Sequence, residues 1–125
     1  MRILIVDDEP LMRFALVQDL GRAGHHVEEV SSGREALEAL GSRPFDLMIL
    51  DLKLPDMSGL DVLQSSGQMM PGLPVVMISA YATALDQRVA LAAGAVRFME
   101  KPFPLTDLRE FAASLERTSE VTRDN

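Results

Sequence analysis

The sequence contains short, uninterrupted apolar runs that are separated by stretches long enough to form a helix. The runs are residues 3–6, 47–50, 75–78 and, less strongly, 95–99. Continuous rather than alternating hydrophobicity is typical of parallel strands that helices cover on both faces. Residues 26–30, HVEEV, are more polar and are predicted to form a fifth strand at a sheet edge. The chain is therefore constrained towards a parallel sheet buried between helix layers.

The segments between these runs have the apolar spacing of amphipathic helices. The predicted helices are a first that ends near Gly21, a second capped by Ser32, a third from Leu60 to about Gly67, a fourth over 83–93 and a fifth over 104–115. In the first helix, a stripe that includes Leu11, Phe14 and Leu20 is predicted to face the core. The fourth helix is rich in alanine and is predicted to be the least firmly anchored. Strands that alternate with helices predict an α/β doubly wound fold with right-handed crossovers.

Length and composition favour one globular domain. The chain has 125 residues, of which 47% are hydrophobic and 25% charged. We expect the domain to cover residues 1–117, with 118–125 as a polar tail or the start of a linker. No apolar run approaches the roughly 20 residues that a membrane span needs, and no signal peptide is recognisable, so we expect a cytoplasmic protein without a membrane partner.

The net charge and the residue types further restrict the nucleic acids and metal ions that the chain could bind. The net charge of −7 argues against nucleic-acid binding by this domain, because phosphate backbones are held by basic patches. There is no cysteine and there are only two histidines, His25 and His26, which we expect at the surface without a role. Any bound metal should therefore be a hard ion that prefers oxygen ligands.

Polar residues follow or end four of the predicted strands. They are Asp7 and Asp8 after the first strand, Asp51 at the third, Ser79 after the fourth and Lys101 after the fifth. Ligands of such sheets bind outside the carboxyl ends of the strands, so these side chains should share one rim. The gathered carboxylates would raise one another's pKa unless a cation such as Mg²⁺ compensates them. With a lysine and a hydroxyl beside them, the set suits a phosphoryl group.

Four motifs in order on successive strand ends resemble the receiver domain of two-component response regulators, the CheY-like domains. The motifs are ILIVDDEP, LMILDLKLPDMSG, VVMISAYA and FMEKPF. The resemblance extends over residues 1–115. It implies a five-stranded parallel sheet in the order 2-1-3-4-5 with five helices, in agreement with the strands and helices predicted above.

The resemblance also implies roles for the acidic residues. Asp51 would accept a phosphoryl group from a phosphohistidine on a sensor kinase. Asp7 and Asp8 would hold Mg²⁺, with Mn²⁺ as an alternative, and Asp8 would be a direct ligand. The Asp51 carboxylate and the backbone carbonyl of Lys53 would complete the protein ligands. The domain would be a signalling switch rather than an enzyme.

Further positions are implied to act after phosphorylation. Ser79 would bind a phosphoryl oxygen, Lys101 would pair with the phosphoryl group, and Phe98 would be the aromatic residue that turns inward on activation. Lys53 and Tyr81 would tune how long the phosphoryl group survives. In many relatives the bond that corresponds to Lys101–Pro102 is cis.

The resemblance implies protein partners as well. They are a sensor histidine kinase or phosphotransfer protein and, in many relatives, a covalently linked output domain that regulates transcription. Phosphorylation-promoted homodimerisation through the fourth and fifth helices is a further expectation.

Two other functions suit a sheet of this kind. An aspartyl-phosphate phosphatase of the haloacid dehalogenase type would need a second aspartate two residues after Asp51, where the chain has Lys53. A nucleotide or flavin binder would need a glycine-rich loop after the first strand, where Asp7 and Asp8 stand. Two local features have simpler structural interpretations, since Asp56 suits a turn or a helix cap and Asp8 to Pro10 suit an acidic helix start.

Overall fold

The computed structural model describes the backbone of residues 1–124 and the side chains of residues 1–118. Five strands alternate with five helices, which confirms the predicted α/β class. Their bounds are β1 Arg2–Val6, α1 Pro10–Arg22, β2 His26–Val30, α2 Gly33–Ser42, β3 Leu47–Asp51, α3 Gly59–Met69, β4 Val75–Ser79, α4 Ala84–Ala92, β5 Arg97–Glu100 and α5 Leu105–Asp124.

The strands form one sheet in the order β2-β1-β3-β4-β5, and every neighbouring pair is parallel. Every residue of β3 and β4 is buried, which explains why their sequences are apolar without alternation. Strand β2 lies at one edge and is only partly buried, as its polar residues predict. The order reverses direction between β1 and β3, where doubly wound sheets have their binding crevice.

Successive residues of β1 point to opposite faces of the sheet and enter two separate cores. Leu4 and Val6 join the core beneath α2, α3 and α4, whereas Ile3 and Ile5 join the core beneath α1 and α5. Where β1 fills both cores, from Ile3 to Val6, it therefore contains no polar residue. The next polar side chain along the chain, Asp7, follows at the carboxyl end of the strand, where it lies at the rim.

The predicted apolar stripe of α1 is wrong at two positions. Leu11 is 83% exposed and Phe14 is 63% exposed, whereas Leu16 and Leu20 are buried. At 3.6 residues per turn, Leu16 and Leu20 share a face, and Leu11 and Phe14 fall on the opposite side of the helix. Two large apolar side chains, Leu11 and Phe14, are therefore exposed to solvent near the start of α1.

Helix α4 is held by few buried residues, as its composition predicts. Ala90 is its only buried residue, and Leu85 is 60% exposed.

Helix α5 is longer than predicted, since its backbone remains helical to Asp124 although the apolar periodicity ends near Leu115. The predicted polar tail, 118–125, lies almost wholly outside the residues whose side chains are described, so its boundary stays a prediction. None of the described helices is both long and apolar enough to cross a membrane.

The prediction that both histidines are exposed is wrong for His25. Its side chain is only 3% exposed, and its Nδ1 lies 3.2 Å from the amino group of Met1 and 3.9 Å from Glu116 on α5. Burial and the nearby amino group lower the pKa of His25, and Glu116 partly opposes this. His26, the first residue of β2, has 62% of its side chain exposed, as predicted.

Asp56 caps a helix that is distant in sequence. Its two carboxylate oxygens accept the backbone N–H groups of Gly33 and Arg34 at 2.9 Å each, at the start of α2. These hydrogen bonds lower the pKa of Asp56. Of the two predicted uses, a turn or a helix cap, the structure shows a helix cap, but for α2 rather than for α3, which follows in sequence and is capped by Ser58. Asp56 thereby ties the loop after β3 to the N-terminus of α2.

Gly59 allows this same loop to fold back on β3. Its N–H donates to the Leu52 carbonyl at 2.7 Å. A Cβ at this position would overlap the Asp51 carbonyl oxygen and lie 2.9 Å from the Leu52 Cα. Only glycine therefore lets the start of α3 lie against the end of β3.

Gly59→Ala should destabilise the fold, whereas Gly67→Ala on the same helix should stabilise it. The first adds a methyl group against backbone atoms that have no room to move, at a cost of about 1–3 kcal/mol or more. The second meets no atom within 4 Å and should gain about 0.5–1 kcal/mol, since alanine is the better helix former. Urea unfolding of both variants measures the difference, and equal stabilities would contradict the proposed close approach at Gly59.

Candidate functional site

The carboxyl ends of four adjacent strands bring the predicted polar residues to one rim. Asp7 follows β1, Asp51 ends β3, Ser79 ends β4 and Lys101 follows β5. Because β1, β3, β4 and β5 are neighbours in the sheet, residues far apart in sequence become close in space. The Lys101–Pro102 peptide bond beside this rim is cis.

Lys101 lies at the centre of the site and is almost fully buried, with 7% of its side chain exposed. Its ammonium donates to Asp7 at 2.7 Å, to Asp51 at 2.9 Å and to Glu9 at 3.0 Å. Burial alone would lower the pKa of Lys101, but these hydrogen bonds raise it well above its ordinary value. The lysine is therefore a fixed positive charge.

Three carboxylates form a compact acidic cluster next to this lysine. Asp7, Asp8 and Asp51 each offer an oxygen, and these oxygens lie within 4.8 Å of one another. Burial raises the pKa of Asp7, and the charge of Asp51 adds to this, although hydrogen bonds from Lys101 and the Glu9 N–H act in the opposite direction. One ammonium does not balance this charge, so the cluster fits a divalent cation that prefers oxygen ligands, such as Mg²⁺.

The Asp51 carboxylate is held in place from two directions. One oxygen accepts the Lys53 backbone N–H at 3.0 Å and the other accepts the Lys101 ammonium. Asp51 is only 6% exposed, so the hydrogen bonds and the strand end fix its orientation. An ordered carboxylate at an accessible rim can act as an oxygen nucleophile.

Ser79 has a hydroxyl group that nothing in the described part of the chain satisfies. The residue is 1% exposed, and its Oγ has no hydrogen-bond partner among the described residues. An unpaired buried hydroxyl costs free energy, which a ligand oxygen at the rim would recover. The orphaned hydroxyl is therefore an independent sign that the rim accommodates an oxygen-rich group.

The structure places the remaining predicted residues around this centre. Lys53 and Tyr81 are exposed on the loops that follow β3 and β4, and Tyr81 is 83% exposed. Phe98 on β5 is partly buried and packs against the core under α2, α3 and α4. None of the three contacts Lys101 through a hydrogen bond or an ion pair among the described residues.

Two residues of the site were not predicted from the sequence. Glu9 binds Lys101, although an acidic helix start was the expected use of this segment. Arg13 donates to the Asp7 carbonyl at 2.7 Å and to Glu29 on β2 at 3.2 Å, so it links α1 to the ends of two strands. For Glu9, the available signal was its position directly after Asp7 and Asp8. For Arg13, no sequence pattern distinguished it from a solvent-exposed helix residue.

Comparisons with known proteins show the family of the chain. The family model for the response regulator receiver domain matches residues 3–113. The response regulator PilR of Pseudomonas aeruginosa is 45% identical over 93% of this chain and 26% of its own length. The two-component response regulator PhoP of the same species is 36% identical over 95% of this chain and 53% of its own length.

Solved structures show the same fold. A CheY-like receiver domain protein from Methanospirillum hungatei has a TM-score of 0.88 at 32% identity, with 95% of this chain and 96% of that chain covered. NtrX from Brucella abortus has a TM-score of 0.87 at 34% identity, with 98% of this chain and 28% of that chain covered.

The chain spans about a quarter of PilR and about half of PhoP, so it corresponds to one domain of each relative. The matched family is a signalling domain of two-component systems, rather than a hydrolase or a dinucleotide-binding domain. The family match covers most of the chain and all four strand ends that build the rim. The chain belongs to the response regulator receiver domain family.

Proposed function

We propose that Asp51 is the residue on which this receiver domain accepts a phosphoryl group from a sensor histidine kinase or phosphotransfer protein. The observation that carries the proposal is the Asp51 carboxylate, fixed 2.9 Å from a buried ammonium at the same rim as an unpaired serine hydroxyl. A bond forms between an Asp51 oxygen and phosphorus while the phosphorus–nitrogen bond to the donor histidine breaks. The electron pair of that bond stays on the histidine nitrogen.

The surrounding residues would stabilise the charge that this transfer brings to the rim. Lys101 offers a permanent ammonium, and the Ser79 hydroxyl is free to donate to a phosphoryl oxygen. Asp7, Asp8, Asp51 and the Lys53 carbonyl would hold Mg²⁺, or Mn²⁺ as an alternative. The cation supplies charge neutralisation between the carboxylates and the phosphoryl group.

The response to phosphorylation would pass through β5 and α4. Ser79 on β4 is paired in register with Glu100 on β5, two residues after Phe98. Glu100 also accepts a hydrogen bond from Gln87 on α4 at 3.2 Å. Movement of Ser79 towards a phosphoryl oxygen would therefore reach both Phe98 and the weakly anchored α4. We place the switching surface on α4, β5 and α5, where a phosphorylation-promoted homodimer would also form.

The wider setting of the domain follows from its relatives. Both PilR and PhoP are longer response regulators, so an output domain linked to this chain is the expected architecture, with transcription regulation as its role. A kinase partner in the cytoplasm suits this function. The domain itself has a net charge of −7 and would leave nucleic-acid binding to the output domain.

Asp51→Asn should abolish phosphorylation, because an amide lacks the nucleophilic carboxylate oxygen. The wild type, incubated with acetyl phosphate and Mg²⁺, should gain the mass of one phosphoryl group on the intact protein. Glu110→Gln, which removes an exposed carboxylate on α5, is the charge-matched control and should be labelled normally. Labelling of Asp51→Asn at the wild-type level would exclude Asp51 as the acceptor.

Mg²⁺ should stabilise the wild type, and Asp7→Asn should lose most of this effect. Stabilisation at a concentration 100 times the dissociation constant amounts to about 2.7 kcal/mol. Without Mg²⁺, Asp7→Asn should be the more stable protein at neutral pH, because burial raises the pKa of Asp7 and disfavours its charged form.

The pH dependence of the free energy of unfolding gives a second comparison between the wild type and Asp7→Asn. A raised pKa means that the folded protein binds more protons than the unfolded chain as pH rises from the ordinary aspartate pKa to the raised one. The contribution of Asp7 to the free energy of unfolding therefore falls across this window. Asp7→Asn should lack that fall in urea unfolding series. Equal Mg²⁺ stabilisation of both proteins would exclude Asp7 as a ligand.

Exchanging Lys53 or Tyr81 should change the dephosphorylation rate several-fold and leave the fold intact. Both side chains are exposed on loops that border the rim, where they can control the access of water to the phosphoryl group. The decay of the phosphorylated protein after donor removal measures the rate in Lys53→Ala and Tyr81→Ala. Val96→Ala, at an exposed site beside the amino end of β5 and so at the end of the sheet opposite the rim, is the control. Decay at the wild-type rate in both variants would contradict the tuning role.

A further inference from the structure

Glu9 is the third carboxylate on the Lys101 ammonium, and it differs from the other two. Asp7 and Asp51 are fixed at strand ends and are 0% and 6% exposed. Glu9 lies 3.0 Å from the ammonium, but 57% of its side chain is exposed. It is also the only one of the three that lies outside the cluster of Asp7, Asp8 and Asp51.

Glu9 lies at the start of α1, but its side chain does not cap that helix. Glu9 is the N-cap residue of α1, yet its carboxylate caps no backbone N–H of that helix. Residues at this position commonly stabilise a helix by accepting such a bond. Instead the carboxylate reaches across the rim to Lys101, which lies 92 residues away in sequence.

The ammonium of a lysine has three donors, and here three carboxylates accept them. A phosphoryl oxygen that binds Lys101 must therefore replace one of these acceptors. Glu9 is the acceptor that solvent can stabilise after release, because most of its side chain is already exposed. Exposed ion pairs contribute little to stability, so its release costs little.

We propose that Glu9 is a positioning residue that holds Lys101 before phosphorylation and competes with the incoming phosphoryl group for the ammonium. This inference rests on the proposed phosphorylation of Asp51. Glu9 thereby restrains phosphotransfer in two ways. It occupies a donor of Lys101, and its negative charge repels an anionic phosphodonor at the rim.

The reaction with acetyl phosphate isolates this effect from any kinase. An Asp51 oxygen forms a bond to phosphorus, the bond between phosphorus and the acetate oxygen breaks, and acetate leaves with the electron pair. The rate of labelling at saturating Mg²⁺ is compared among four proteins. They are the wild type, Glu9→Gln, Glu9→Asp and Glu38→Gln.

Glu9→Gln should be labelled about two- to fivefold faster than the wild type, which is the size expected for one exposed charge contact. Glu9→Asp keeps the charge but has a shorter reach, so its rate should lie between the two. Glu38 is an exposed glutamate that pairs with Arg34 on α2, and Glu38→Gln should react at the wild-type rate. Thermal unfolding of each variant verifies that the fold is retained.

The salt dependence of the labelling rate distinguishes the proposed role of Glu9 from a purely structural one. The advantage of Glu9→Gln should shrink as ionic strength rises, because salt screens the charge that the substitution removes. A rate for Glu9→Gln equal to that of Glu38→Gln, or below it, would overturn the role of Glu9 and leave the acceptor role of Asp51 standing. A wild type that takes up no phosphoryl group would overturn both.

Discussion

The ion pairs of Lys101 are the interaction on which the site depends. A buried ammonium is costly unless carboxylates surround it, and the buried carboxylates Asp7 and Asp51 are equally costly without it. The lysine follows β5 and the carboxylates follow β1 and end β3, so their attraction links three strands at one rim. The arrangement leaves more negative than positive charge, and a divalent cation would neutralise this excess before an anionic phosphoryl group arrives.

The rest of the fold holds these charges still. Strand β3 is buried along its whole length, so Asp51 lies at the end of a firmly packed element. Gly59 and Asp56 fix the loop after β3, the first by its close approach to β3 and the second by capping α2. On the other side of the rim, α4 is held mainly by Ala90. Firm support under the acceptor and loose support beside it are the division of roles that a switch requires.

The sequence was sufficient for the parallel α/β sheet, its rim and the charged residues that follow the strands, and the sheet order came from the family resemblance of its four motifs. Continuous apolar runs permit few other folds, and a parallel sheet brings its strand ends together whatever the intervening helices do. It was insufficient where two faces of one element look alike in composition. Leu11 and Phe14 resemble core residues but face solvent, and His25 resembles a surface residue but lies under Glu116. Such differences depend on the rotation of α1 and the path of α5, which tertiary packing decides.

Within the site, the contact of Glu9 is likewise one that the sequence alone does not reveal. Its position after two aspartates favoured helix capping, since local interactions are what a linear pattern reveals. Its actual partner, Lys101, is 92 residues away, and only the assembly of the sheet, which brings the carboxyl ends of β1 and β5 to the same rim, places the two together. A carboxylate that gives up a local bond for a distant cation is useful where that cation must later change partners. The exposed side chain of Glu9 meets this condition, and the buried side chains of Asp7 and Asp51 do not.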